Sequence, residues 1–128
     1  MAVKFLSEDW LNAVNQTLAA DAGYQSATSS TDITLQFVVS DAPEGDVEYS
    51  VTAAGGTTTF AGGTLEGADA TIRNDYETAK AISSGDLNTQ AAFISGKLKV
   101  EGNLAKIMMN QSALTALADA LKDLDIEY

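Results

Sequence analysis

Along the chain the spacing of apolar residues changes period several times, and each change marks a predicted element. Trp10, Leu11, Val14 and Leu18 recur at helical intervals and form one apolar stripe. Ser7 stands before them as an N-cap, Glu8 and Asp9 suit the positive end of the helix dipole, and Leu6 and Leu11 hold the positions of a hydrophobic staple. The stripe stops around Gly23, and "SATSSTD" reads as a loop. The period then falls to two. In "DITLQFVVS" Ile33, Leu35, Phe37 and Val39 share one face, opposite Thr34 and Gln36. In "DVEYSVTA" Val47, Tyr49 and Val51 oppose Glu48, Ser50 and Thr52. "DAPEGD" between them carries the one proline and a glycine, as a hairpin connection would, and Gly55-Gly56 marks a tighter turn into "TTTFA". After Gly62-Gly63, Ala68, Ala70 and Ile72 alternate with Asp69, Thr71 and Arg73. One polar face per strand predicts a mainly antiparallel sheet covered on one side, not a doubly wound parallel sheet.

Helical spacing returns at "DYETAKAISSG", with Asp75 as cap and Gly85 as stop. Asn88 can cap a short helix carrying Ala91, Ala92, Phe93 and Ile94, ended by Gly96. "KLKVE" is a brief strand with Leu98 and Val100 inward. Asn103 caps a last helical region bearing Leu104, Ile107, Met108, Leu114, Leu117, Leu121 and Leu124, and Asn110-Gln111-Ser112 is a natural break in it. The order is helix, four strands, two short helices, strand, terminal helix. Helices that must all cover one apolar sheet face give a two-layer α+β domain with a five-stranded sheet. At 128 residues, 1–128 reads as one domain, able to bury roughly two thirds of its unfolded surface.

Charge and composition narrow the chemistry. Seven basic against eighteen acidic residues give a net charge of −11, a field that repels nucleic acid and anionic bilayers from the molecule as a whole. No apolar run approaches the ~20 residues that cross a membrane, and "MAVKFLSEDW" lacks a signal-peptide core. The expectation is a cytoplasmic chain without stable membrane insertion, so the acceptor patterns at Asn15 and Asn110 read as incidental. The absence of cysteine removes disulfides, thiol catalysis and thiolate metal sites, and the absence of histidine removes the commonest general base and metal ligand. A phosphate loop would need glycine where Ala91 stands and a hydroxyl where Leu98 stands. No nucleophile elbow, Ser-x-x-Lys or dinucleotide fingerprint occurs. Neither catalysis nor a cofactor or metal is expected. The acidic group Asp41, Glu44, Asp46 and Glu48 lacks calcium-loop spacing and reads as a solvated turn. Arg73, Lys80, Lys97, Lys99 and Lys106 are five of the seven basic residues; a guarded strand edge is the favoured reading, an anionic head-group site the other.

The stretch "AAFISGKLKVEGNLAKIMM", residues 91–109, resembles the sterol carrier protein 2 family, in which a helix is followed by Gly-Lys-Leu-Lys-x-x-Gly-Asp/Asn and an apolar final helix. Gly96, Lys97, Leu98, Lys99, Gly102 and Asn103 match that pattern position by position. The resemblance implies a five-stranded sheet with helices over one face and an apolar tunnel between the layers. It implies an apolar ligand: a sterol, a fatty acid or a fatty acyl-CoA. Trp10, Val14, Phe37, Val39, Ile72, Phe93, Ile94, Leu104, Ile107 and Met108 are the candidate lipid-binding residues, on the helix stripes and the inner sheet face. Gly96 and Gly102 read as residues of shape rather than ligand contacts. Similar domains serve as accessory pieces of larger proteins, so the alternative is an accessory or homodimerising module with a filled core. "DIEY" is not a peroxisomal address.

Overall fold

Ser7 caps α1 (Glu8–Ala19) in the computed structural model, which describes residues 2–43, 45–84, 86–87, 89–121 and 124–127 and leaves the side chains at 89, 90, 114 and 118 undescribed. Ser7 Oγ accepts a hydrogen bond from the Trp10 amide at 3.1 Å, and Trp10, Val14 and Leu18 are the buried stripe. Helical structure is expected to stop around Gly23, and of the expected loop "SATSSTD" residues 28–31 do lie outside helix and strand. But α2 (Ala22–Ala27) follows α1 at once, capped by Asp21, whose Oδ1 accepts from the Tyr24 amide at 3.0 Å. Six residues make less than two turns and bury Tyr24 alone, so no periodic stripe could announce it. Its anchor is tertiary, a 2.6 Å hydrogen bond between the Tyr24 and Thr58 hydroxyls.

The main sheet holds β2 (Asp32–Ser40), β3 (Val47–Ala54), β4 (Thr57–Gly62), β5 (Ala70–Asp75) and β6 (Lys99–Gly102) in the order β4-β3-β2-β5-β6. Three pairings are antiparallel and β2–β5 is parallel. Gly55 and Gly56 both take positive φ between β3 and β4, the two-residue turn whose twist matches the strands. Helices α3 (Tyr76–Ser84), α4 (Thr89–Ile94), α5 (Leu104–Met109) and α6 (Gln111–Leu121) complete the second layer. Asp75 caps α3 through a 2.8 Å bond from the Thr78 amide, and Asn103 caps α5 through a 3.1 Å bond from the Lys106 amide. The expected break at Asn110 separates α5 from α6. The readings of Gly85 as a stop, Asn88 as a cap, Glu44 in the acidic turn and the Leu114 side chain on the stripe lie outside the described residues. A parallel pair, β1 (Val3–Lys4) with β7 (Ile126–Glu127), ties the two ends of the chain together. Two residues per strand carry no readable period.

The inner sheet face is built in cross-strand rows. Phe60, Val51, Leu35 and Ala70 form one; Tyr49, Phe37, Ile72 and Val100 form the next. The outer face departs from the one-sided expectation, because Gln36 and Ser50 on it are buried. The Gln36 amide donates to the Tyr49 and Gly63 carbonyls, both at 3.1 Å, and its Oε1 accepts from the Leu65 amide at 2.6 Å. One side chain thus fastens the segment after β4 across β2 and β3. At the far edge, Asn15 of α1 substitutes for a missing strand. Its Nδ2 donates to the Phe60 carbonyl at 2.9 Å, and its Oδ1 accepts from the Phe60 amide at 2.7 Å. A free edge is a template for unwanted pairing, and here a helix covers it.

Candidate apolar ligand site

Aromatic rings make the floor beneath the helices. Phe37 and Tyr49 stack at 4.8 Å, and Tyr49 and Phe60 lie nearly parallel at 6.0 Å. Trp10 meets Phe5, Tyr49 and Phe60 edge-on at 5.3 to 5.8 Å, and Phe5 in turn approaches Tyr76 at 6.0 Å. Both stacked and edge-on arrangements are favourable for ring quadrupoles. The Trp10 Nε1 is buried without a hydrogen-bond partner among the described residues, and burial raises the Tyr49 phenol above its ordinary range. Such a setting suits apolar contact and disfavours any charged form.

Two glycines shape the segment that resembles the sterol carrier motif. Gly96 takes φ of 80°, its amide donates to the Phe93 carbonyl, and the Lys97 amide reaches back to the Ala92 carbonyl at 2.9 Å. This is the Schellman termination of α4, and it turns the chain into β6. Gly102 has φ of 105°, and a Cβ there would sit 2.7 Å from the Asp69 carbonyl oxygen and 2.9 Å from Ala70 Cα. Only glycine lets the end of β6 lie so close to β5. Asp69 then fixes α5. Its backbone oxygen accepts from the Asn103 amide at 2.9 Å, and its Oδ2 sits 3.0 Å from Lys106 Nζ and accepts from the Thr34 amide at 2.8 Å. The Lys106 contact first, and the Thr34 amide after it, hold the Asp69 carboxyl below its usual range. At the start of α3, hydrogen bonding from Thr78 lowers Asp75 likewise. Of the five clustered cations, Lys106 pairs with Asp69, and Arg73 lies 3.5 Å from Glu101.

The ten candidate residues divide by burial. Trp10, Val14, Val39 and Ile72 belong to the packed core, and Phe37 and Ile107 are partly buried against it. Phe93 (45%), Ile94 (84%), Leu104 (43%) and Met108 (68%) are exposed, as is Met109 (83%) beside them. The inward six come together; the outward four stand on α4 and α5, at either end of the edge strand β6. A pocket of about 320 Å³ opens where Leu6, Trp10 and Leu11 face Val47, Tyr49 and Gly62, and another of about 310 Å³ lies between Asn15, Leu18, Gln25 and Thr57–Thr59. Only Trp10 of the ten reaches either pocket. The sequence reading missed Phe5, Phe60 and Tyr76 as parts of the aromatic floor. Phe60 carried a signal, the tight glycine turn that pairs its strand with Val51. Among the described residues no group of acidic side chains could hold a metal, and no helix is long and apolar enough to cross a membrane.

A five-stranded sheet roofed by short helices over an aromatic face, with a glycine-shaped edge strand between two apolar helices, defines a class of small two-layer α+β domains. Residues 11–115 match the SCP-2 sterol transfer family, and the chain belongs to that family. The fold is similar to a crystal structure of sterol carrier protein 2, at 22% identity and a TM-score of 0.78, covering 94% of this chain and 99% of that one. It is similar to the solution structure of a conserved hypothetical protein from Thermus thermophilus, at 20% identity and a TM-score of 0.79, covering 99% and 94%. A ubiquinone synthesis protein, UbiJ-SCP2, shares the fold at 19% identity and a TM-score of 0.62, covering 87% and 88%. No protein of curated function matches the chain at a significant level.

Proposed function

We infer that this chain is a non-catalytic carrier of an apolar molecule, a sterol, fatty acid or fatty acyl-CoA, held between the inner sheet face and the helices. The observation that carries this reading is the uncovered apolar surface of α4 and α5 in a member of the SCP-2 sterol transfer family. Isoleucine and methionine side chains left almost wholly in water contribute nothing to folding there, and a bound acyl or sterol body would cover them. Each methylene so buried contributes ~0.8 kcal/mol before ordering costs. In this reading Trp10, Val14, Phe37, Val39, Ile72 and Ile107 are floor and wall, and Phe93, Ile94, Leu104 and Met108 are the mouth. Binding of this kind needs neither nucleophile nor general base, which suits a cytoplasmic chain without cysteine or histidine. Titration with a fluorescent fatty acyl probe tests it: saturable binding should weaken at least tenfold in Met108→Trp while the urea midpoint stays put.

A second reading has its own support. The packed aromatic floor and the fold shared with UbiJ-SCP2 favour an accessory or homodimerising module whose core is already full. A wild-type protein that binds no acyl probe would leave this second reading standing.

A further inference from the structure

The apolar mouth has an electrostatic surrounding unlike the rest of the molecule. From residue 87 to residue 118 the chain carries three lysines and a single acid, Glu101, within a protein of net charge −11. Lys97 and Lys99 are exposed and form no ion pair among the described residues; Lys97 lies near enough to Asp75 to help lower its carboxyl. Arg73 is the register partner of Lys99 across β5–β6. Against Lys97, Lys99, Lys106 and Arg73 stand the paired Asp69 and Glu101 and the neighbouring Asp75, so these groups together stay net positive. The acids of α1 sit over β4, four strand spacings or about 19 Å from β6. That is about two Debye lengths at physiological salt, so their repulsion is largely screened while the local lysines act at close range.

At the two ends of this basic edge stand the most exposed large apolar side chains of the described residues, Ile94 and Met109. Apolar tips beside lysines are the combination that seats a protein on an anionic lipid surface, each alone being too weak. An isologous dimer through the same edge would set Lys97 and Lys99 against their own copies. Protein interfaces are depleted of lysine at their core, whereas here the exposed Lys97 and Lys99 stand between the two apolar tips. A lipid surface accepts that mixture. We propose that the α4–β6–α5 edge is a docking face for anionic membrane surfaces, with Ile94 and Met109 entering the head-group boundary and Lys97 and Lys99 meeting lipid phosphates. It deepens the carrier reading by naming the surface at which the mouth exchanges its cargo, and rests on that reading for purpose only.

The test is co-sedimentation with vesicles of phosphatidylglycerol and phosphatidylcholine in equal parts, against vesicles of phosphatidylcholine alone. Binding to the mixed vesicles should fall about fivefold for each lysine removed in Lys97→Gln/Lys99→Gln, and at least tenfold in Ile94→Asp/Met109→Asp. A matched control, Asn12→Asp/Gln16→Glu on exposed positions of α1, makes the same change in net charge far from the edge. It should bind as wild type does. Equal binding to both vesicle types would overturn the proposal, as would equal loss in the control. A concentration-dependent dimer in light scattering that Ile94→Asp/Met109→Asp dissolves, with no vesicle binding, would assign the face to a second copy. Acyl-probe affinity is measured in parallel: vesicle binding without probe binding removes the carrier reading and leaves the docking face intact.

Discussion

Replacing Asn15 probes how the sheet is closed at β4. The Asn15 amide makes two hydrogen bonds to one residue, donating to the Phe60 carbonyl at 2.9 Å and accepting from the Phe60 amide at 2.7 Å. Asn15→Ala removes both, at about 0.5–1.5 kcal/mol net for each, so about 2 kcal/mol is expected. Unfolding entropy of about 2.1 cal/mol/K per residue makes that about a 7 °C fall in Tm for a chain of this size. Asn15→Asp is the sharper variant. Its carboxylate can still accept from the Phe60 amide, but it faces the Phe60 carbonyl with no proton to give. The protonated acid can donate, so the folded state raises this carboxyl above its unfolded value of about 3.9. A raised folded value means the added stability is fully present below the unfolded value and is lost as pH rises through the folded one. The gap between Asn15→Asp and wild type, read as urea midpoints in one buffer series, should therefore narrow from pH 7 to pH 4. A gap that stays constant, or an Asn15→Ala cost below about 0.5 kcal/mol, would refute the clamp.

Gly102→Ala should destabilise by about 3 kcal/mol, combining left-handed strain with a Cβ driven against Asp69 and Ala70, whereas Gly96→Ala, with open space around it, should cost about 1 kcal/mol; chemical denaturation of the pair separates crowding from strain. Asp69 and Asp75 are held below the usual carboxylate range, so their contribution is present above about pH 4 and is lost as pH falls through the lowered values. Asp69→Asn should lower stability at pH 7 and flatten the acid limb of the stability curve; an unchanged slope would mean that the Lys106 contact contributes nothing.

Where the chain carries a period, it announces its elements. The alternation of Ile33 to Val39 and of Val47 to Val51 appears in the sheet as cross-strand pairs, and Ser7, Asp75 and Asn103 cap the helices they precede. What stayed hidden depends on contacts distant in sequence. The α2 helix rests on Tyr24 meeting Thr58, the β1–β7 pair joins the chain ends, and Gln36 looks solvent-facing until the segment after β4 folds over it. Period analysis sees which side a residue faces and not what later covers that side. The ten candidate positions were read as one apolar set, and their division into six packed inward and four left exposed was not legible. The stripe of α5 runs Leu104, Ile107, Met108 whether or not anything packs against it. In the fold only Ile107 of these meets the core.

If an apolar ligand covers α4 and α5, as proposed, the methionines report on it directly. Apart from Met1, the chain has only Met108 and Met109, both well exposed. Peroxide converts such side chains to sulfoxides, a change that intact-mass and peptide spectra resolve residue by residue. Saturating fatty acyl ligand should slow oxidation of Met108 at least fivefold, with a control protein in the same mixture unaffected. Ligand bound at full occupancy, with Met108 oxidised as fast as in the free protein, would contradict it.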